Sequence, residues 1–264
     1  MFRFFCIFLF FCELAAVGQP ILRTNTIALP DFLNTPSPFA PIVVVPTNKP
    51  WSGTIAVGLT LTRGNSRTIL ASASAHTVTF WDHAVNELIL DGNVGYGTSE
   101  GVASTESADA NAQYNHTLTK RMFEGLRLDA FHDGIADIHY RLTAAPLIGY
   151  YAMKTTNTLL GLELGPGYIY TRQDDVIESY AILRFGERYE YKFNKAARVW
   201  ETMEIMPQIN AFNNYLVNFE LGLEASITKS FTLRTVLQDY YNNVPAAGRQ
   251  RNDVRLVSGV GFKF

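Results

Sequence analysis

Cysteine is almost missing from this 264-residue chain, and both examples, Cys6 and Cys12, fall within the first twelve residues. Everything after Cys12 therefore lacks a disulfide framework and any thiolate for metal or redox chemistry. No run of about eighteen apolar residues occurs beyond the N-terminus, which excludes a helical membrane span there. An excess of one charge is missing too. Lys and Arg number 22 against 24 Asp and Glu, a formal net charge of −2, so no polycationic surface argues for nucleic acid. No spaced His/Asp cluster suggests a metal, and no cofactor is expected. What remains is 47 % hydrophobic and 13 % aromatic residues at a mean hydropathy of +0.02. A transmembrane barrel has that texture because only alternate residues meet lipid, and a soluble β-sandwich shares it.

Met1–Gly18 reads as a secretory signal: Arg3, the short apolar stretch Phe4–Cys12, and the small residues Ala16-Val17-Gly18 before Gln19. Neither cysteine follows a lipobox, so a cleaved, unlipidated product is expected. Gln19–Pro50 holds seven prolines, which remove backbone donors and predict an extended periplasmic linker without a packed core.

From Trp51 the chain alternates. Ile55, Val57, Leu59 and Leu61 oppose Thr54, Ala56, Gly58 and Thr60, and Arg63-Gly64-Asn65-Ser66 then marks a hairpin turn. The same period of two recurs down the chain. Leu126 and Leu128 oppose Arg127 and Asp129. Leu160, Leu162 and Leu164 oppose Gly161 and Glu163, and Val217, Phe219, Leu221 and Leu223 oppose Asn218, Glu220 and Glu224. The last stretch sets Val254, Leu256, Val260, Phe262 and Phe264 against Asp253, Arg255, Gly259, Gly261 and Lys263. A strand turns successive side chains to opposite faces. The fold class predicted is therefore all-β, a closed antiparallel up-and-down transmembrane barrel over 51–264 with about twelve strands. Two positions break the pattern. Glu187 lies on an apolar parity and calls for a bulge or a rim position, and Glu201 and Glu204 have opposite parities, which predicts a bulge near Pro207.

Thr119-Lys120-Arg121, Asn194-Lys195-Ala196 and Thr228-Lys229-Ser230 repeat as short basic turns and are placed on the periplasmic side. Thr98–Ser107, Arg172–Glu178 and Asn243–Asn252 are then expected as longer external loops. Aromatic residues near strand ends, among them Tyr140, Tyr168, Tyr170, Tyr189, Tyr191 and Phe262, read as interfacial girdles.

Several segments in order resemble a domain-of-unknown-function family of salt-induced outer-membrane proteins. They are Trp51-Ser52-Gly53 through Thr62-Arg63-Gly64-Asn65-Ser66, Asp137-Ile138-His139-Tyr140-Arg141-Leu142, Leu162-Glu163-Leu164-Gly165-Pro166-Gly167-Tyr168, Tyr189-Glu190-Tyr191-Lys192, Pro245-Ala246-Ala247-Gly248, and Asn252-Asp253-Val254-Arg255-Leu256. The resemblance implies an outer-membrane barrel and no established reaction. The terminal strand ending at Phe264 resembles the signal read by the barrel-assembly machinery, which makes that machinery and the outer-membrane bilayer the expected partners.

The polar parity carries the candidate lumen residues Asp129, Arg141, Glu163, Arg184, Arg188, Glu190, Glu220, Glu224, Arg234 and Arg255, with Asp91, Asp137, Arg127, Lys192 and Lys263 beside them. Their signs nearly balance, which favours a structural network crossing the lumen over a selective pore, whose constriction shows one sign. A ligand site, if one exists, would be lined by Arg184 and Arg188 facing Glu220 and Glu224. No catalytic residue is expected. Nucleophilic catalysis needs a hydroxyl beside an oriented histidine. His139 reads as inward beside Asp137 and Arg141 without a serine on its face, and Ser72 and Ser74 share a strand with His76 but lie too far from it. The expectation is a cell outer-membrane barrel with a structural or envelope-stress role. A small weakly selective porin, a soluble lipocalin-like carrier and an outer-membrane lipase are the alternatives.

Overall fold

Alternation along the chain becomes twelve antiparallel strands in the computed structural model, which describes residues 51–63, 67–245 and 251–264. The signal and Pro-rich linker read from the sequence lie outside the described residues. The strands are β1 (Trp51–Arg63), β2 (Arg67–Trp81), β3 (Asn86–Ser99), β4 (Val102–Thr117), β5 (Met122–Asp133), β6 (Ile138–Lys154), β7 (Thr158–Gln173), β8 (Val176–Lys192), β9 (Ala197–Gln208), β10 (Ala211–Ser226), β11 (Phe231–Asn242) and β12 (Asn252–Lys263). Each pairs with its sequence neighbours, and β1 pairs with β12 from Thr54–Lys263 to Val57–Val260, closing the barrel. Gly53 and Phe264 extend that seam by exchanging backbone hydrogen bonds of 3.4 and 3.2 Å. Closure removes the free edges that an open sheet would expose.

The two parities separate as their chemistry demands. Ile55, Val57, Leu59, Leu126, Leu128, Leu162, Leu164, Leu223 and Leu256 all project outward and are exposed. Aromatic pairs flank this apolar belt, with Trp81–Tyr114, Tyr191–Phe193 and Phe231–Phe262 towards the end that carries the chain termini, and Tyr140–Tyr170 and Tyr215–Tyr241 towards the other. Polar and charged side chains point inward, between two apolar clusters. Phe123, Leu147, Tyr151 and Leu159 lie near the termini end; Ile169, Ile182, Met206 and Leu216 lie near the far end.

The repeated basic turns have a common cause. The side chains of Thr119, Asn194 and Thr228 accept hydrogen bonds from backbone N–H groups two or three residues on, at 2.7–3.3 Å. Thr155 makes the same turn without a following lysine, Oγ1 accepting from the Thr158 N–H at 3.0 Å. The far end departs from expectation. β3 and β4 run through most of Thr98–Ser107 and turn at Glu100 (φ 52°) and Gly101 (φ 82°), the left-handed pair of a tight hairpin. β7 and β8 likewise leave only residues 174–175 between them. Polar Ser, Thr and Glu continue a ladder beyond the lipid as readily as they form loops, and strands of 12 to 17 residues exceed the 9–11 that a bilayer needs. Residues 246–250 of the expected last loop are outside the described residues.

No bulge forms at Glu187, whereas the irregularity anticipated near Pro207 is present. Glu187 pairs with Leu162 and Met203 in unbroken register and faces outward in mid-strand. Glu201 and Glu204 also keep register through Ala197–Pro207, so Glu201 faces out and Glu204 in. The ladder tolerates an outward carboxylate more readily than it tolerates an extra residue. The β9–β10 shift takes its extra residues from β10, between Ala211 and Tyr215, opposite Gln208 and Pro207, and so leaves the parities of Glu201 and Glu204 unchanged. A further irregularity lies at the start of β6, between Ile138 and Tyr140. It buries Ile138 and leaves His139 exposed, the reverse of the parity expected.

Between the pairs Ala144–Tyr168 and Ile148–Leu164 the β6–β7 register carries Pro146 opposite Pro166, and neither can donate a ladder hydrogen bond. Gly165 compensates locally. A side-chain carbon there would collide with the Pro146 carbonyl, so the glycine hydrogen points at that oxygen in a Cα–H···O contact. An outer concavity of about 1380 Å³ overlies this rung, lined by Leu126, Ile148, Leu162, Leu164, Phe185 and Met203 among others. Gly165→Ala is expected to lower stability by about 1–3 kcal/mol because backbone must shift. Gly92→Ala, whose new carbon meets only the Asp109 carbonyl at 3.8 Å, should be close to neutral. Urea midpoints of the heat-modifiable folded band would compare the two.

Candidate functional site

Period two delivers charges to the interior from most of the strands, and register decides which of them meet. Arg184 on β8 sits at the middle, 1 % exposed. Its Nη1 donates to Glu163 Oε2 on β7 at 2.8 Å, and its Nε donates to Glu204 on β9. Glu163 Oε1 accepts from Gln113 Nε2 on β4 at 3.0 Å, and Gln113 Oε1 accepts from Arg127 Nη1 on β5 at 3.2 Å. Arg127 in turn grips Asp129 at 2.8 and 3.2 Å. Asn218 on β10 donates to Glu204 at 3.1 Å, and Asn115 connects Gln113 to Glu87 on β3 at 3.1 and 2.9 Å. One hydrogen-bonded chain thus runs from β3 to β10 through the interior. Buried charges persist where partners replace the lost water, and here each is held by its neighbours.

A second group lies towards the termini end. Glu224 is 3.1 Å from Arg198, 2.6 Å from Lys263 and 3.7 Å from Arg234. Glu190 is 3.3 Å from Arg188, 3.7 Å from Lys192 and 3.8 Å from Arg198. Trp200 meets both arginines, with Arg198 5.3 Å and Arg234 5.0 Å from its ring, a pair of cation–π contacts. Its Nε1 donates to Glu220 at 2.6 Å, and Gln238 donates to the other Glu220 oxygen at 2.9 Å. Gly222 makes room for the ring, which covers it. Near the far end Arg141 on β6 reaches Tyr240 on β11 at 2.6 Å, spanning the lumen. On β2, His76 Nδ1 meets Asp91 at 2.7 Å.

The family described as "Protein of unknown function, DUF481" matches residues 55–264, most of the chain. The chain belongs to the DUF481 family. No curated protein matches it. Among solved structures the DUF481 barrel is similar to the translocator domain of autotransporter NalP from Neisseria meningitidis, at 12 % identity and a TM-score of 0.44, over 81 % of this chain and 86 % of that one. It is also similar to the NanC porin, at 9 % identity and a TM-score of 0.47, over 80 % and 97 %. The KdgM porin in complex with disordered oligogalacturonate aligns at 11 % identity and a TM-score of 0.47, over 80 % and 99 %.

Within the DUF481 barrel, Asp129, Arg141, Glu163, Arg184, Arg188, Glu190, Glu220, Glu224 and Arg234 all take part in interior contacts. The Arg255 side chain lies outside what is described. The pairing differs from the one expected. Arg184 binds Glu163 and Glu204, Arg188 binds Glu190, and Glu220 and Glu224 are engaged by other side chains. Asp137 is not inward either; it is exposed in a turn at φ 55°. Sequence reasoning missed Trp200, Arg198 and Glu204, which occupied the run without a readable parity. It also missed the His76–Asp91 pair, whose members come from different strands.

Arg184→Met would leave Glu163 and Glu204 buried without their cation, and a loss of about 3–5 kcal/mol is expected. Adding Glu163→Gln and Glu204→Gln should restore much of it. Urea unfolding of the protein refolded into lipid vesicles measures both; equal stability of wild type and Arg184→Met would contradict the network's role.

Proposed function

We propose that this protein resides in the Gram-negative outer membrane as a cross-braced barrel with a structural role in the envelope, its interior closed to rapid permeation. The observation that carries this is the sorting of side chains on a closed ring: apolar residues exposed outside, and charges such as Arg127, Arg184, Glu190, Glu204 and Glu224 buried inside. A closed, edge-free sheet with an exposed apolar belt between aromatic girdles suits hydrocarbon. A soluble carrier would turn the apolar face inward. The Arg141–Tyr240 bridge and the chain from Glu87 to Asn218 support a blocked lumen. We assign it no reaction. The partners proposed are membrane lipid and, for insertion, barrel-assembly machinery reading the outward face of β12.

A small porin is the second reading, favoured by the light inner wall where Gly259 and Gly261 on β12 meet Thr54, Ala56 and Gly58 on β1, and Ser72 and Ser74 on β2. In planar bilayers the purified protein is expected to give no reproducible conductance steps. Regular open steps at the wild-type sequence would favour the porin. Recovery only with detergent, together with heat-modifiable gel mobility, tests membrane residence separately.

A further inference from the structure

Interior charges balance in number but not along the barrel axis. Towards the termini end, Arg188, Lys192, Arg198, Arg234 and Lys263 converge on two carboxylates, Glu190 and Glu224. Glu220 is engaged by Trp200 and Gln238, and Glu87 by Asn115. Both still act on this group, Glu220 through Arg234 and Glu87 through Arg188. With Lys154, which lies 4.2 Å over the Tyr151 ring and acts on Glu87, and with Asp91, which is held by His76 and also acts on Arg234, six cations face five carboxylates.

Exposure is as uneven as charge. The Glu190 and Glu224 side chains are 2 % exposed, whereas Lys192 is 32 % and Lys263 35 %. An ion entering by this mouth therefore meets ammonium groups first and the carboxylates lie behind them. Arg234 Nε has no hydrogen bond. The wall of Gly259, Gly261, Thr54 and Ala56 beside Lys263 carries only small, uncharged side chains. The chain's own segment 19–50 is no counter-ion, since it carries Arg23 and Lys49 against Asp31 alone.

From this arrangement we propose that the termini-end mouth of the barrel binds a small, soluble, multivalent oxyanion of the phosphoryl class. Arginine forks and lysine point charges with donors to spare match several oxygens on one centre. The indole of Trp200 lies against Gly222 and carries the guanidinium groups of Arg198 and Arg234, so it fixes the arginines and offers no open stacking platform for a sugar or a base. The site does not depend on whether the lumen conducts.

Titration calorimetry on the full chain, folded in detergent at low ionic strength, tests this with pyrophosphate as the probe. Saturable binding is expected, weakened about tenfold or more in K192M/K263M, since one lost charged contact is on the order of 1.5–3 kcal/mol. Glu190→Gln, which removes a competing carboxylate, should tighten binding and serves as the readout if the double variant folds poorly. Short-chain phosphatidylglycerol is expected not to compete. Absence of saturable binding, affinity unchanged in K192M/K263M, or weaker binding by Glu190→Gln would overturn the site, and effective competition by the lipid would overturn its assignment to a soluble ion. Heat-modifiable mobility of each variant confirms that a folded barrel is being titrated.

Discussion

A backbone placed in hydrocarbon has no water to satisfy its N–H and C=O groups, so the sheet must return to its own first strand. The β1–β12 seam meets that demand here, with four registered pairs and the Gly53–Phe264 exchange. Everything else follows from the ring it makes. Once the ring exists, each strand has one face in lipid and one face in a confined interior, and the sequence has to serve two solvents at alternate residues. The interior is too polar to pack as a hydrocarbon core.

The molecule meets this with a mixed interior. Apolar clusters around Phe123 and Ile169 lie at different levels, and between them charges replace lost hydration with one another. Such networks add little net stability over an apolar filling of the same shape, but they fail sharply when one member is removed. They also restrict register: a two-residue slip of β8 would carry Arg184 away from both Glu163 and Glu204, so the wrong alignment is penalised as well as the right one favoured.

Fold class and strand number were legible because period two survives any local detail, and Leu162, Leu164 and Glu163 declare their faces without help from the rest of the chain. The inward set was legible for the same reason. Partnership was not. Whether Arg184 meets Glu204 or Glu220 depends on strand stagger, which leaves no mark on either sequence. Trp200 was hidden because an apolar residue on the polar parity looks like an error until Gly222 is seen beneath it. His139 was misplaced because one irregular step at the start of β6 inverts parity. Polar stretches such as Thr98–Ser107 look like loops because a strand that has left the membrane no longer needs to alternate.

Glu187 has an effect on the surroundings. It stands outward beyond the girdle tyrosine Tyr189, flanked by Leu162 and Met203, with Glu201 nearby on the same face. Lipid tails do not solvate carboxylates, so headgroups and water have to climb to this wall, while around Phe231 and Phe262 the apolar surface continues almost to the turns. The belt is therefore lopsided. A membrane meeting it is drawn thinner against β8 and β9 than against β11 and β12, or the barrel leans to even out the mismatch. Either way the barrel does not sit symmetrically in the membrane.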